Sequence, residues 1–114
     1  MSAVNLFYLN LVMNTYLSHQ HEDSEDLMLL EAIETSKTSY LIIYNDDYNT
    51  FDWVIQCLME ICNHTFEQSE QLSLLIHYKG KAIVKTASFS ELQPMKDAFL
   101  ERGLSAVIET EVNS

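Results

Sequence analysis

The sequence predicts an α+β fold, a small sheet covered on one face by helices, in the order strand, helix, helix, strand, helix, strand. Three observations predict it. Three short β-rich runs, "SYLIIY", "KAIVKTA" and "LSAVIET", alternate with segments whose apolar residues recur at helical spacing. Capping residues stand at the starts of those segments, and the two glycines of the chain, Gly80 and Gly103, fall where helices would stop. With 114 residues, 47% of them hydrophobic, the chain can build one core but not two.

Residues 1–38 read as a flexible acidic extension, and residues 39–114 as the core domain. Between residues 1 and 40, six carboxylates face Lys37 alone. Too little apolar surface remains to offset ordering, so at most a helical turn or two is expected around Leu27 to Glu34. The opening "MSAVNLFYLNLVMNTYL" is apolar but lacks a basic start and a small-residue cleavage site, so it does not read as a signal peptide. It is also too short and too polar to span a bilayer. The change in character after Met13 makes that residue a candidate internal start. His19 and His21, beside Glu22 and Asp23, would bind a metal only adventitiously, since no third fixed ligand accompanies them.

The core elements follow in turn. "SYLIIY" (39–44) is the first strand. Phe51, Val54, Ile55, Leu58, Met59 and Cys62 then recur at helical spacing, with Asn49 or Thr50 placed to cap the start. Thr65 and Gln68 form a capping box for a second helix that turns Leu72, Leu75 and Ile76 inward, and Gly80 ends it. "KAIVKTA" (81–87) is the second strand. Ser88 with Glu91 opens a third helix carrying Leu92, Met95, Phe99 and Leu100, Arg102-Gly103 closes it, and "LSAVIET" (104–110) is the last strand.

Charge and cysteine content narrow the function. Six basic against seventeen acidic residues give a net charge of −11, which excludes a basic patch able to neutralise nucleic-acid phosphates. The same charge is repelled by anionic lipid. Cys57 and Cys62 lie five apart on one helix and point to different faces, so reduced thiols and a cytoplasmic protein are expected.

"YNDDYNT" (44–50) places an amide and two adjacent carboxylates where the first strand hands over to a helix. Such residues make good turns because their side chains bond the local backbone. Read with "HYKGKAI" (77–83), and with "FDWVIQCLMEI" and "EQSEQLSLLIH" between the two motifs, the stretch resembles the ClpS family of adaptor proteins. The likeness covers roughly residues 39–110. It implies a ClpS-like three-stranded antiparallel sheet packed against three helices. It further implies an adaptor that binds proteins with a bulky hydrophobic N-terminal residue (Leu, Phe, Tyr or Trp) and hands them to a Clp-type AAA+ unfoldase. Neither enzymatic activity nor a cofactor is implied.

Chemistry then suggests why these residue types are present. A free N-terminus offers three donors and a positive charge, so a site that selects it needs convergent acceptors and a negative field. The resemblance implies Asn45 and His77 as the groups holding the α-amino group, with Asp46 in support, and leaves Asp47 to cap or brace the turn. It implies an apolar pocket beside them walled by Asn49, Phe51, Val54, Cys57, Ser73, Ile76 and Leu104. Phe51 stands where many members have Met, Asn49 where Thr is usual, and Ser73 replaces another frequent Met. Loss of bulk at Ser73 would deepen the floor and favour Trp or Tyr, while Phe51 would narrow the mouth. Glu91 and Lys96 are implied as contacts to the N-terminal domain of a ClpA- or ClpC-like unfoldase, allowing one inserted residue after Ile83.

Two other readings compete. Asp46, Asp47 and His77 are the right residue types for a metal-dependent hydrolase, but no nucleophile or phosphate-binding glycine loop accompanies them. A bare interaction module of the same fold would lack the amine site. His64 is expected to sit exposed between helices.

Overall fold

A computed structural model of the chain describes residues 23–111. Residues 1–22, and with them Met13, His19 and His21, lie outside the described residues. The chain divides between Lys37 and Thr38 into two units.

The first unit contributes one helix, α1 (Asp23–Ser36). It is longer than the turn or two the sequence suggests. Its acidic N-terminal turn suits the positive end of the helix dipole. At the other end, Lys37 Nζ pairs with Glu34 at 3.1 Å, and the Ser36 hydroxyl donates to the Ile33 carbonyl at 2.9 Å. Leu29, Ala32 and Ile33 form its half-buried face, while Leu27 and Met28 are two-thirds exposed.

The second unit holds β1 (Thr38–Tyr44), α2 (Phe51–Cys62), α3 (Phe66–Lys79), β2 (Lys81–Ser88), α4 (Phe89–Glu101) and β3 (Ser105–Thr110). The strands form one three-stranded sheet in the order β2-β1-β3, with both pairings antiparallel. Alternation along β1 sends Ser39, Leu41 and Ile43 toward the helices. There Leu41 and Ile43 join Leu58, Ile76, Val84, Leu92, Phe99 and Ala106 in one buried cluster drawn from all six elements. On the opposite face Ile42 pairs in register with Ile83 and Val107.

Local sequence sets the helix ends. Thr50 accepts from the Trp53 N–H and opens α2, and Asn63 ends it in the left-handed region at φ 59°. Thr65 and Gln68 make the reciprocal capping box of α3. Gly80 closes α3 at φ 89°, with its N–H on the Ile76 carbonyl. Ser88 accepts from Glu91 N–H at the start of α4, and Gly103 takes φ 87° just beyond its end.

Three packing details differ from the sequence reading. Leu75 is 46% exposed rather than turned inward. The buried stripe of α3 is Ser69, Ser73 and Ile76, with Leu72 packed against the core beside it as expected. In addition, β1 pairs Leu41 with Lys85 but Ile42 with Ile83, which leaves Val84 as the extra residue of a β-bulge. Val84 stands at the place where the family resemblance required an insertion after Ile83. Its carbonyl meets the ring of His64 at 2.6 Å. His64 is therefore half-buried and tied to β2 rather than exposed.

Candidate functional site

The strand β1 ends at Tyr44, and the turn that follows is held by Asp46. One carboxylate oxygen accepts the N–H groups of Tyr48 and Asn49 at 2.9 and 2.7 Å. The other accepts the Asn49 side-chain amide at 2.7 Å. The bracing role falls to Asp46 rather than Asp47. The carboxylate at the first position of such a turn reaches the N–H groups two and three residues on, and its successor points away. Burial by itself would raise the Asp46 pKa, but the bonds from Asn49 and Tyr48 outweigh it and hold the carboxyl below the ordinary aspartate range. Asp47 stands exposed on the rim.

The start of α2 is fastened at two more points. Asn49 Nδ2 also donates to the Gly103 carbonyl at 3.0 Å, and Trp53 Nε1 donates to the Arg102 carbonyl at 3.2 Å. The Arg102 guanidinium lies 5.8 Å from the Trp53 ring centroid and 3.2 Å from Glu60. Together these contacts set the helix that carries Phe51 and Val54.

Helix α3 supplies the opposing wall. Its last turns present Ser73, Ile76 and His77, and the Asn45 N–H donates to the Gly80 carbonyl at 2.9 Å, joining the turn to the end of α3. Between α2, α3 and the turn lies an open cavity of about 510 Å³. Its polar edge is made by Asn45, Asp46, Asp47 and His77, and its apolar walls by Phe51, Val54 and Ile76.

Eight of the residues singled out from sequence share this cavity: Asn45, Asp46, His77, Asn49, Phe51, Val54, Ser73 and Ile76. Leu104 lines an adjoining cleft of about 20 Å³ that shares Asn45, Asp46, Asn49, Val54 and Ile76. Cys57 is fully buried in the core, one turn beyond Val54, and does not line the cavity. Glu91 and Lys96 lie elsewhere, on α4.

Leu74 and Tyr78 also line the cavity and were missed. They repeat the four-residue spacing of Ser73 and His77 one position along the helix, which was the signal available. The Tyr78 ring meets that of His77 edge-on at 5.1 Å.

Burial pushes the Cys57 thiol up despite Arg102, and pushes Cys62 up to about 11, so neither offers a thiolate nucleophile. Among the described residues no group of three or more His, Cys, Asp or Glu could hold a metal ion. No helix among them is long and apolar enough to cross a membrane.

Comparison with known proteins gives a consistent picture. The family model described as ATP-dependent Clp protease adaptor protein ClpS matches residues 34–106. Three relatives carry the name ATP-dependent Clp protease adapter protein ClpS. Those of Cronobacter sakazakii and Serratia proteamaculans are 35% and 34% identical over 79 and 80 residues, 68% of this chain and 73% and 74% of theirs. That of Lawsonia intracellularis is 34% identical over 67 residues, 59% of this chain and 62% of its own length. Among solved structures, Agrobacterium tumefaciens ClpS2 bound to L-phenylalaninamide superposes with a TM-score of 0.62 at 21% identity, covering 67% of this chain and 99% of that one. At that identity the superposition establishes the shared fold.

Proposed function

Since the chain belongs to the ClpS family of ATP-dependent Clp protease adaptors, we propose that it captures proteins whose N-terminal residue is bulky and hydrophobic (Leu, Phe, Tyr or Trp) and delivers them to a Clp-type AAA+ unfoldase. The family is one of adaptors rather than catalysts. The observation that carries the reading is one cavity in which an amide and an imidazole, Asn45 and His77, adjoin apolar walls from Phe51, Val54 and Ile76.

Each half of that cavity answers one half of a chain terminus. The α-ammonium donates to Asn45 and His77 in the field of Asp46 and Asp47, while the first side chain enters between α2 and α3. Asp46 contributes charge more than a free acceptor, because both its oxygens already hold the turn. The L-phenylalaninamide bound by the Agrobacterium protein has the same two parts, a free amine and an aromatic side chain.

Magnitudes favour joint recognition. Burying one large apolar side chain contributes roughly 1.5–3 kcal/mol, and each charge-assisted hydrogen bond a similar amount. Neither alone exceeds the cost of association. Only the two together outweigh that cost, and the modest surplus suits a carrier that must release its cargo.

Glu91 and Lys96, on α4 and away from the cavity, are the residues proposed to dock a ClpA- or ClpC-like N-terminal domain. A cytoplasmic setting, no nucleic-acid or membrane partner and no cofactor complete the proposal. Fluorescence anisotropy with a Phe-starting peptide tests it: micromolar binding that vanishes when the peptide's amine is acetylated is expected. Equal affinity of the free and acetylated peptides would overturn it.

A further inference from the structure

The cavity wall contains a hydroxyl with no partner. Ser73 is 3% exposed and lines the cavity, yet its Oγ makes no hydrogen bond among the described residues. A helical serine commonly returns its hydroxyl to the carbonyl one turn back. One turn earlier on the same face, the fully buried Ser69 leaves its Oγ unpaired as well. Buried polar atoms are nearly always paired, because an unpaired one forfeits its hydration without return. By contrast, the neighbouring polar side chains Asp46 and Asn49 are bonded to each other and to the backbone.

We propose that Ser73 Oγ recognises a polar atom on the ring of the captured N-terminal residue, so that the site prefers Tyr or Trp over Phe or Leu. This rests on the N-terminal-residue reading above and specifies its ligand class. Ser73 Oγ is itself buried as placed; a turn about its single side-chain bond would carry it to the cavity side, where it can both donate and accept. It can therefore meet a phenol O–H or an indole N–H. Phe51, Val54 and Ile76 take the ring itself, which excludes a small polar side chain that could satisfy Ser73 but fill nothing. An all-carbon ring leaves the hydroxyl as it was. A Tyr or Trp ring buried without that hydroxyl would lose its own hydration unrewarded, so the discrimination works from both sides.

A net contribution typical of a neutral hydrogen bond corresponds to about a two- to tenfold difference in affinity. The test measures Kd by anisotropy for peptides identical except for a first residue of Tyr, Trp, Phe or Leu, with the full chain and with its Ser73→Ala variant. Alanine keeps the space, removes only the hydroxyl and favours the helix. The expected result is a Tyr or Trp peptide bound about two- to tenfold more tightly than Phe by the wild type. In S73A the Tyr-to-Phe and Trp-to-Phe affinity ratios should fall toward one. A Tyr-to-Phe and Trp-to-Phe ratio that is the same in both proteins, with Phe binding normally, overturns the role of Ser73 and leaves the adaptor reading standing. No binding of any of the four peptides by the wild type overturns both.

Discussion

The backbone N–H of Asn45 donates to the carbonyl of Gly80 at 2.9 Å. That bond joins the first residue of the turn after β1 to the residue that ends α3, three positions beyond His77. The two polar groups proposed to grip an ammonium are thus set against each other by main chain. Gly80 achieves this at φ 89°, a conformation that L side chains rarely adopt.

Gly80→Ala should therefore act on stability and on binding together. A Cβ at Gly80 meets nothing within 4 Å, so the cost is conformational rather than steric, about 1 kcal/mol. The urea midpoint should fall accordingly, and affinity for a Phe-starting peptide should fall severalfold as the Gly80 peptide unit shifts away from Asn45. Lost stability with unchanged affinity would show that this bond does not align the site.

Asn45→Ala and His77→Ala should each weaken that peptide by about ten- to a hundredfold, the worth of a charge-assisted hydrogen bond. Both side chains are exposed, so thermal stability should barely move. Because the two groups serve one ammonium, the double variant should lose less than the sum of the singles. Full additivity in that cycle would argue for independent ligands.

His64→Ala addresses the fold rather than the site. The His64 ring bonds the Val84 carbonyl at 2.6 Å, and Val84 is the extra residue of the β-bulge. Its loss strands a carbonyl on a buried residue, which costs roughly 1–3 kcal/mol. A lower urea midpoint with unchanged peptide affinity is expected. An unchanged midpoint would mean that water replaces the ring without cost.

What the sequence displayed and what it concealed divide by range. The capping box of Thr65 and Gln68 and the left-handed stop at Gly80 are local devices within a few residues and were readable directly, while the cap of α2 was narrowed to Asn49 or Thr50, of which the structure uses Thr50. The bond from His64 to Val84 crosses twenty positions and depends on a bulge, which no periodicity announces. On α3 the rule that large apolar residues point inward misassigned Leu75, because the buried side of that helix is built from Ser69 and Ser73. At the site, adjacent carboxylates of equal chemistry could not be ranked until the backbone of the turn was known, and the bracing expected of Asp47 falls to Asp46. Cys57, a wall residue only by the family resemblance, is buried one turn beyond Val54 and does not line the cavity.

The bracing of the turn by Asp46 leads to a prediction in pH. Burial alone would raise the Asp46 pKa, but the hydrogen bonds from Asn49 and Tyr48 leave it below the ordinary aspartate value. A carboxyl whose folded pKa lies below its unfolded one, about 3.9 in model peptides, adds stability above that unfolded value. The increment drains away as the pH drops through the lower folded value. In Asp46→Asn the amide oxygen still accepts from the backbone N–H groups, but its NH₂ cannot accept from Asn49 Nδ2, and nothing titrates. The variant should accordingly melt below the wild type at pH 7, and the gap should narrow as the pH falls below about 4 and the wild-type carboxylate takes up its proton. Thermal melts of both proteins across that range measure the gap. Two curves that stay parallel down to pH 2 would mean that the turn draws nothing from the charge of Asp46.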